Sequence, residues 1–290
     1  MQGKPVFRFA PSPNGELHLG HAYSAIVGFE MAQRLGGRFL VRIEDIDLGR
    51  CREEFVSAIY EDLRWLGLTW EEPVLRQSKH FDDYRAAAQK LEALGLLYPC
   101  FASRNEIAIA SENQQLGSDP DGSPLYPYLH KGLASDVFEA RKNAGEPFAT
   151  RIDMERAIAF AHKRLDGRPL TFTETGSGIP TTIEARPERW GDAIIIRKDI
   201  PSSYALAVVT DDAGQGVTHV TRGRDLYDAT DLQRLLQVLL GFPEPIYHHH
   251  RLIEDGTGRK LSKSERDTSI RRLRAAGATP LDIRVMVGCA

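Results

Sequence analysis

The sequence predicts an α/β protein, a doubly wound parallel sheet split by an insertion, and three observations point that way. Short apolar runs bounded by Gly and Pro alternate with runs of helical period at the start of the chain; the alternation fails between about residues 78 and 186; and it resumes before residue 200. Such alternation builds a Rossmann-type sheet, whose right-handed crossovers place helices on both faces. Val6 to Ala10 reads as the first strand, and after a Pro- and Gly-punctuated turn the positions Ala22, Ile26, Val27 and Met31 recur at helical spacing. Arg38 to Glu44 reads as the second strand, and Phe55, Ile59, Leu63 and Leu66 mark a helix that stops at Gly67. Phe81 to Leu97 reads as a helix leading into an irregular stretch from Ser111 to Leu125. Later strands are expected in DAIIIRK from Asp192 and GVTHVTR from Gly216, with a helix from Asp231 to Leu240. From Ser269 the tail reads as helical, interrupted at Gly277 and Pro280. The expected divisions are a first Rossmann half over 1–77, an α+β insertion over 78–186, a second half over 187–247, and a segment over 248–290 ending in short helices.

With 290 residues and 42% hydrophobic content, the chain is large enough for a sizeable core without staples. Cys51, Cys100 and Cys289 are odd in number and far apart, which argues against a disulfide framework and for a reducing, cytoplasmic setting. No run approaches the roughly 20 apolar residues needed to span a bilayer, so a membrane partner is not expected. The formal net charge of -3 means that any nucleic acid must be held by a local basic surface.

Two motifs carry chemistry. His18, Gly20 and His21 fall in the turn between the first strand and the first helix, where a doubly wound sheet binds its ligands and where a helix N-terminus offers backbone N–H groups to anions. Glycine admits a close backbone approach, and imidazoles can donate to phosphate oxygens whose charge grows in a transition state. The second motif is KLSKS, Lys260 to Ser264, preceded by Gly256 and Gly258; two lysines behind two glycines suit a loop that brings cations onto a polyphosphate. Taken singly, the histidine pair could be a capped surface turn and the lysines a solvated loop. Together they point to a nucleotide phosphate.

HLGH and KLSKS resemble the two signature motifs of the class I aminoacyl-tRNA synthetases, and RFAPSPNGELHLGHAYSA with RIEDID resembles the glutamyl branch. The resemblance continues through GDAIIIRKDIPSSYALAVVTDDAGQGVTHVTRGRDL. Full glutamyl enzymes continue past the lysine motif into a long anticodon-binding region, whereas about 26 residues follow Ser264 here. The chain in this respect resembles the queuosine-directed glutamyl paralogues, which esterify glutamate onto the queuosine base in the anticodon of tRNA(Asp). The resemblance implies a monomeric ligase that uses ATP with Mg2+ to activate L-glutamate. It implies His18, His21, Lys260 and Lys263 as catalytic residues, and Ser12, His18, Gly20, His21, Leu252, Ile253 and Lys263 at the ATP. It places glutamate-binding residues at Arg8, Ala10, Ser12, Glu44, Tyr204 and Arg222.

The residue chemistry fits a dicarboxylic amino acid. Arg8 and Arg222 can hold a carboxylate through parallel charge-assisted bonds, Glu44 suits an ammonium, and Tyr204 can hydrogen-bond a carboxylate. Read without the motif, Arg8 could be a surface arginine and Glu44 and Asp45 could simply pair with Arg42. Many members of the family carry zinc in the insertion, on a Cys-x-Cys pair followed by a Tyr and a further Cys. Here the pair is reduced to Cys100 and Ala102, and His130 stands four residues after Tyr126; Cys100, Tyr126 and His130 make three ligands where structural zinc takes four, so zinc is not expected. His248 to His250 read as a polar edge rather than a metal cluster. Arg271, Arg272 and Arg274 are candidates for an RNA backbone contact, with a solvated helix face as the plainer reading. Alternatives to the queuosine-directed ligase are a minimal glutamyl-tRNA synthetase charging the tRNA 3′ end and a synthetase-like RNA-binding protein without charging activity.

Overall fold

A computed structural model describes residues 3–253 and 269–289. In chain order the elements are β1 (Val6–Phe9), α1 (Leu19–Arg34), β2 (Arg38–Ile43), α2 (Glu53–Trp65), β3 (Glu71–Arg76), α3 (Phe81–Ala93), β4 (Leu97–Cys100), α4 (Arg104–Asn113), α5 (Ser135–Asn143), β5 (Ala149–Ile152), α6 (Met154–Arg164), β6 (Thr171–Glu174), β7 (Thr181–Glu184), β8 (Ile194–Ile196), α7 (Tyr204–Gly214), β9 (His219–Gly223), α8 (Ala229–Leu240), β10 (Ile246–His250), α9 (Ile270–Ala275) and α10 (Pro280–Val287). Among the described residues, a seven-stranded sheet runs β3-β2-β1-β9-β10-β6-β7 and a three-stranded sheet runs β4-β5-β8. The large sheet is parallel from β3 to β6, and only the edge strand β7 is antiparallel to its neighbour.

The two-residue period of the strands sorts side chains onto two faces. Phe7, Phe9, Phe39, Val41 and Ile43 pack with α1, α2, α9 and α10, while Val6, Leu40, Val220, Phe172 and Tyr247 pack with α3, α6, α7 and α8. Both faces are thus covered, the expected state of a parallel sheet. Helix α1 lies close on β9 because Gly28 has no side chain: a Cβ there would come within 2.7 Å of Thr221 Oγ1.

The structure differs from the sequence expectation in one helix end and two sheet pairings. The helix expected over Phe81 to Leu97 ends at Ala93, because Gly95 adopts a positive φ of 67° and turns the chain into β4. The β6–β7 hairpin lies within the expected insertion, 78–186, yet it extends the large sheet, Tyr247 of β10 pairing with Glu174 of β6. Conversely β8, expected in the second Rossmann half, pairs antiparallel with β5 in the small sheet. A three-residue apolar strand carries no mark of which sheet will bury it. The expected polar edge at His248 to His250 is also corrected: β10 is an interior strand between β9 and β6, and His249 and His250 are buried.

Candidate active site

Strand order reverses at β1, whose neighbours are β2 on one side and β9 on the other, so a crevice opens at the carboxyl ends of β1 and β9. A cavity of about 520 Å³ occupies it. The structure brings Arg8, Ala10, Ser12, His18, Gly20, His21, Glu44, Tyr204, Arg222, Leu252 and Ile253 together around this one cavity. Lys260 and Lys263 lie outside the described residues. On the near side of their segment Ile253 lines the cavity; on the far side Ser269 forms a β-bridge with His18, a lining residue, and the Ile270 N–H donates to Leu17 O at 2.8 Å.

The histidine turn is a reciprocal cap. His18 is the N-cap of α1; its Nδ1 accepts from the Gly20 N–H at 3.1 Å, and His21 Nδ1 accepts from the His18 N–H at 3.2 Å. Each ring spends its Nδ1 lone pair on a backbone donor, so each neutral imidazole carries its proton on Nε2. The cap thereby orients two N–H donors at the head of a helix, with ring centroids 3.8 Å apart. Gly20 belongs to this arrangement, since a Cβ there would sit 3.0 Å from His18 Cε1.

On the β1–β2 side, cations meet acids. Arg8 Nε donates to Asp212 Oδ1 at 3.2 Å, Arg42 Nη1 to the same oxygen at 2.6 Å, and Arg42 Nη2 to Glu44 Oε1 at 3.1 Å. Asp211 takes hydrogen bonds from Gln77 and Tyr84 and lies 3.7 Å from Arg42 Nε. Burial acts against the charge on Arg42, but Asp212, Glu44 and Asp211 outweigh it and raise its pKa. Burial likewise opposes ionisation of Asp212, and the Arg8 and Arg42 charges overcome it and hold the carboxyl below its usual range. At Glu44 burial wins, and the carboxyl is pushed up. The pairing of Glu44 with Arg42, one of the open readings of the sequence, is present, and Glu44 also faces the cavity.

On the β9–β10 side the arrangement is different. Arg222 is buried, and its guanidinium donates to His249 Nε2 at 3.0 Å, Gln233 Oε1 at 2.8 Å and Thr230 Oγ1 at 2.7 Å. All three acceptors are neutral, and among the described residues no carboxylate lies in ion-pair contact with Arg222. His249 in turn meets Glu174, Nδ1 to Oε2 at 2.5 Å.

Sequence reading missed Asp212, Glu174 and His249. The adjacent acids in the apolar run ALAVVTDD were a usable signal, because acids on a buried helix face need cations. Glu174 gives none, since it falls within the span 78–186 expected to be an insertion.

In the small-sheet region Cys100, Ala102 and Tyr126 form a buried apolar cluster, and Arg141 donates to His130 Nε2 at 3.1 Å. Of the candidate RNA-contacting arginines, Arg274 is tied to Glu61 at 2.8 Å and lies over Trp65, whereas Arg271 and Arg272 are exposed.

The parallel sheet thus switches at β1 and carries a histidine-capped helix and two buried arginines at its carboxyl edge. Residues 5–288 match the family of class I tRNA synthetases (E and Q), catalytic domain, and the chain belongs to it: it is a ligase of the aminoacyl-tRNA synthetase type. It is 43% identical, over 98% of its length and 99% of the relative's, to the glutamyl-Q tRNA(Asp) synthetase of Rhodobacter capsulatus. It is 38% identical to the glutamate–tRNA ligase of Prochlorococcus marinus over 94% of its own length, of which it spans only 55%. The fold matches that of a glutamate tRNA ligase from Elizabethkingia meningosepticum with a TM-score of 0.72 and 24% identity, covering 95% of this chain and 54% of that one. Among the described residues no helix is long and apolar enough to cross a membrane.

Proposed function

We propose that the protein activates L-glutamate with ATP to glutamyl-adenylate and transfers the glutamyl group to the queuosine base in the anticodon of tRNA(Asp). The observation that carries the choice of amino acid is Arg222, a buried cation whose hydrogen-bond acceptors among the described residues are all neutral, on the same cavity as Glu44. A substrate with a carboxylate at one end and an ammonium at the other satisfies both. Arg222 and Arg8 would hold the side-chain carboxylate with Tyr204 beside them, and Glu44 the ammonium. A bound ammonium would also return to Glu44 the stabilisation that burial removes.

In the first step the glutamate α-carboxylate attacks the α-phosphorus of ATP, forming the acyl phosphate bond as the bond to pyrophosphate breaks. The chain's contribution is position and charge stabilisation. The Nε2–H groups of His18 and His21 donate to phosphate oxygens, the Gly20 backbone admits the nucleotide, Ser12 lies beside it, and the backbone at Leu252 and Ile253 holds adenine. Lys260 and Lys263 are assigned to the leaving pyrophosphate by the motif they belong to, and Mg2+ accompanies the ATP. In the second step a hydroxyl of the acceptor attacks the acyl carbon and AMP departs. No covalent enzyme intermediate is needed.

The acceptor rests on the similarity, over 98% of this chain and 99% of the relative, to a protein named glutamyl-Q tRNA(Asp) synthetase. A second reading, charging of the tRNA 3′ end, is favoured by the similarity to glutamate–tRNA ligases. Labelled glutamate offered with ATP to tRNA(Asp) prepared with and without queuosine, beside tRNA(Glu), decides between them. Label on queuosine-bearing tRNA(Asp) alone is expected; label on tRNA(Glu) would overturn the assignment.

A further inference from the structure

We infer that Glu174 and His249 are a positioning pair for Arg222, orienting its guanidinium through a neutral imidazole so that its charge stays available to the substrate. The inference deepens the glutamate reading and rests on it for the role of Arg222.

Glu174 ends β6, beside β10, and both of its oxygens are committed. Oε2 faces His249 Nδ1 at 2.5 Å, while Oε1 accepts from the Gly176 N–H at 2.6 Å and the His249 N–H at 3.1 Å. Gly176 is required there, because a Cβ would stand 2.3 Å from His249 O and 2.8 Å from Glu174 Oε1. Burial opposes ionisation of Glu174, but the hydrogen bonds from His249 and Gly176 prevail and lower its pKa to about 2. Glu174 is therefore an acceptor throughout the neutral range, and His249 must place its proton on Nδ1.

That fixes the other face of the ring. Nε2 keeps its lone pair, and this is what Arg222 Nε–H donates into. A proton on Nε2 would set N–H against N–H and a second cation against Arg222; burial and the Arg222 charge both work against that protonation. The ring is also held mechanically, parallel to Tyr247 at 1° with centroids 5.9 Å apart and edge-on to Tyr227 at 5.0 Å.

The interposed imidazole has a purpose that a direct ion pair would defeat. Arg8 meets Asp212 directly and its charge is matched there. Arg222 receives the same orientation from an uncharged acceptor, with the anion a ring's width further away. Three of its five N–H donors are used in this way, and Glu174 and His249 need touch no substrate atom to set where the other two lie.

The test uses the full chain and glutamate-dependent ATP–pyrophosphate exchange with E174Q, H249F and H249Q. In E174Q an amide NH2 must face either two backbone donors or His249 Nδ1, and the latter forces the wrong tautomer. E174Q and H249F are expected to raise KM for glutamate about tenfold or more, the scale of one charge-assisted hydrogen bond, with KM for ATP within about twofold. H249Q, whose amide oxygen can accept from Arg222, should recover part of the loss. In histidine-labelled wild type at neutral pH, nitrogen NMR should show His249, assigned by its disappearance in H249Q, protonated on Nδ1 alone. An Nε2–H tautomer, an unchanged glutamate KM in E174Q, or equal rises in both KM values would overturn the inference. If E174Q does not fold, H249F against H249Q carries the same comparison. A wild type that exchanges without glutamate dependence would remove the glutamate reading instead, and the tautomer would still decide the pair.

Discussion

The two walls of the cavity treat buried arginines in opposite ways. Along β1 and β2, Arg8 and Arg42 share Asp212, and Arg42 also reaches Glu44 and Asp211. Along β9 and β10, Arg222 meets a histidine, a glutamine and a threonine. The first wall is internally neutralised, so its charges hold strands β1 and β2 to helix α7. The second, among the described residues, sets no carboxylate against its arginine, and under the proposed function that charge is left for the substrate. Two arginines read as equivalent in the sequence thus differ in their partners, Arg8 matched by Asp212 and Arg222 set among neutral acceptors.

The largest effect is expected from breaking the neutralised wall. Asp212→Asn removes the anion between Arg8 and Arg42, and a broken buried pair costs about 3–5 kcal/mol; denaturant unfolding should show a loss on that scale, and a loss below about 1 kcal/mol would mean the wall is not a paired unit. Next, Arg222→Gln should leave folding nearly intact, because its partners are neutral, while lowering kcat/KM for glutamate about 100-fold, the worth of a charge-assisted pair. Steady-state exchange kinetics beside a melting curve separates the two outcomes. Smaller again, His21→Ala should lower kcat about tenfold or more with little change in KM for glutamate, since its Nε2–H acts on charge that develops only in the transition state. Equal loss in kcat and in glutamate affinity would remove it from that role.

The smallest effect sharpens the contrast from outside the cavity. Asp62 is buried with neither oxygen hydrogen-bonded, and burial pushes its pKa up to about 6 despite Arg274 at 3.7 Å. A carboxyl raised in the folded state makes folding less favourable as pH climbs from the unfolded value of 3.8 through 6, because the unfolded chain then binds fewer protons. Asp62→Asn should therefore raise Tm by about 2–4 °C at pH 8 and leave it unchanged near pH 4. A loss of stability at pH 8 would mean that Arg274 is a true partner, as Asp212 is for Arg8.

Much of the fold was legible because its signals are local. The strand–turn–helix from Val6 to Arg34 shows in its periodicity, and HLGH sits where α1 needs a cap. The expected divisions misplace β6 and β8 because pairing is not local: four or three residues of strand fit either sheet until their neighbours are known. The candidate site followed the same rule. Arg8, Glu44, Tyr204 and Arg222 were named from chemistry and resemblance, and they meet at one cavity. What makes them differ, Asp212 from α7 and Glu174 behind His249, arrives from distant positions as a consequence of tertiary packing. Of a histidine triplet read as a polar edge, His249 and His250 are buried once β6 lies beside β10.

The most direct test of this account is ATP–pyrophosphate exchange by the intact chain with L-glutamate and L-glutamine side by side, with tRNA(Asp) present. An arginine that meets no carboxylate among the described residues should reject a neutral amide, so exchange is expected with glutamate and at least about 100-fold lower kcat/KM with glutamine. Comparable values for the two amino acids would contradict the claim that the Arg222 wall holds its charge for a carboxylate.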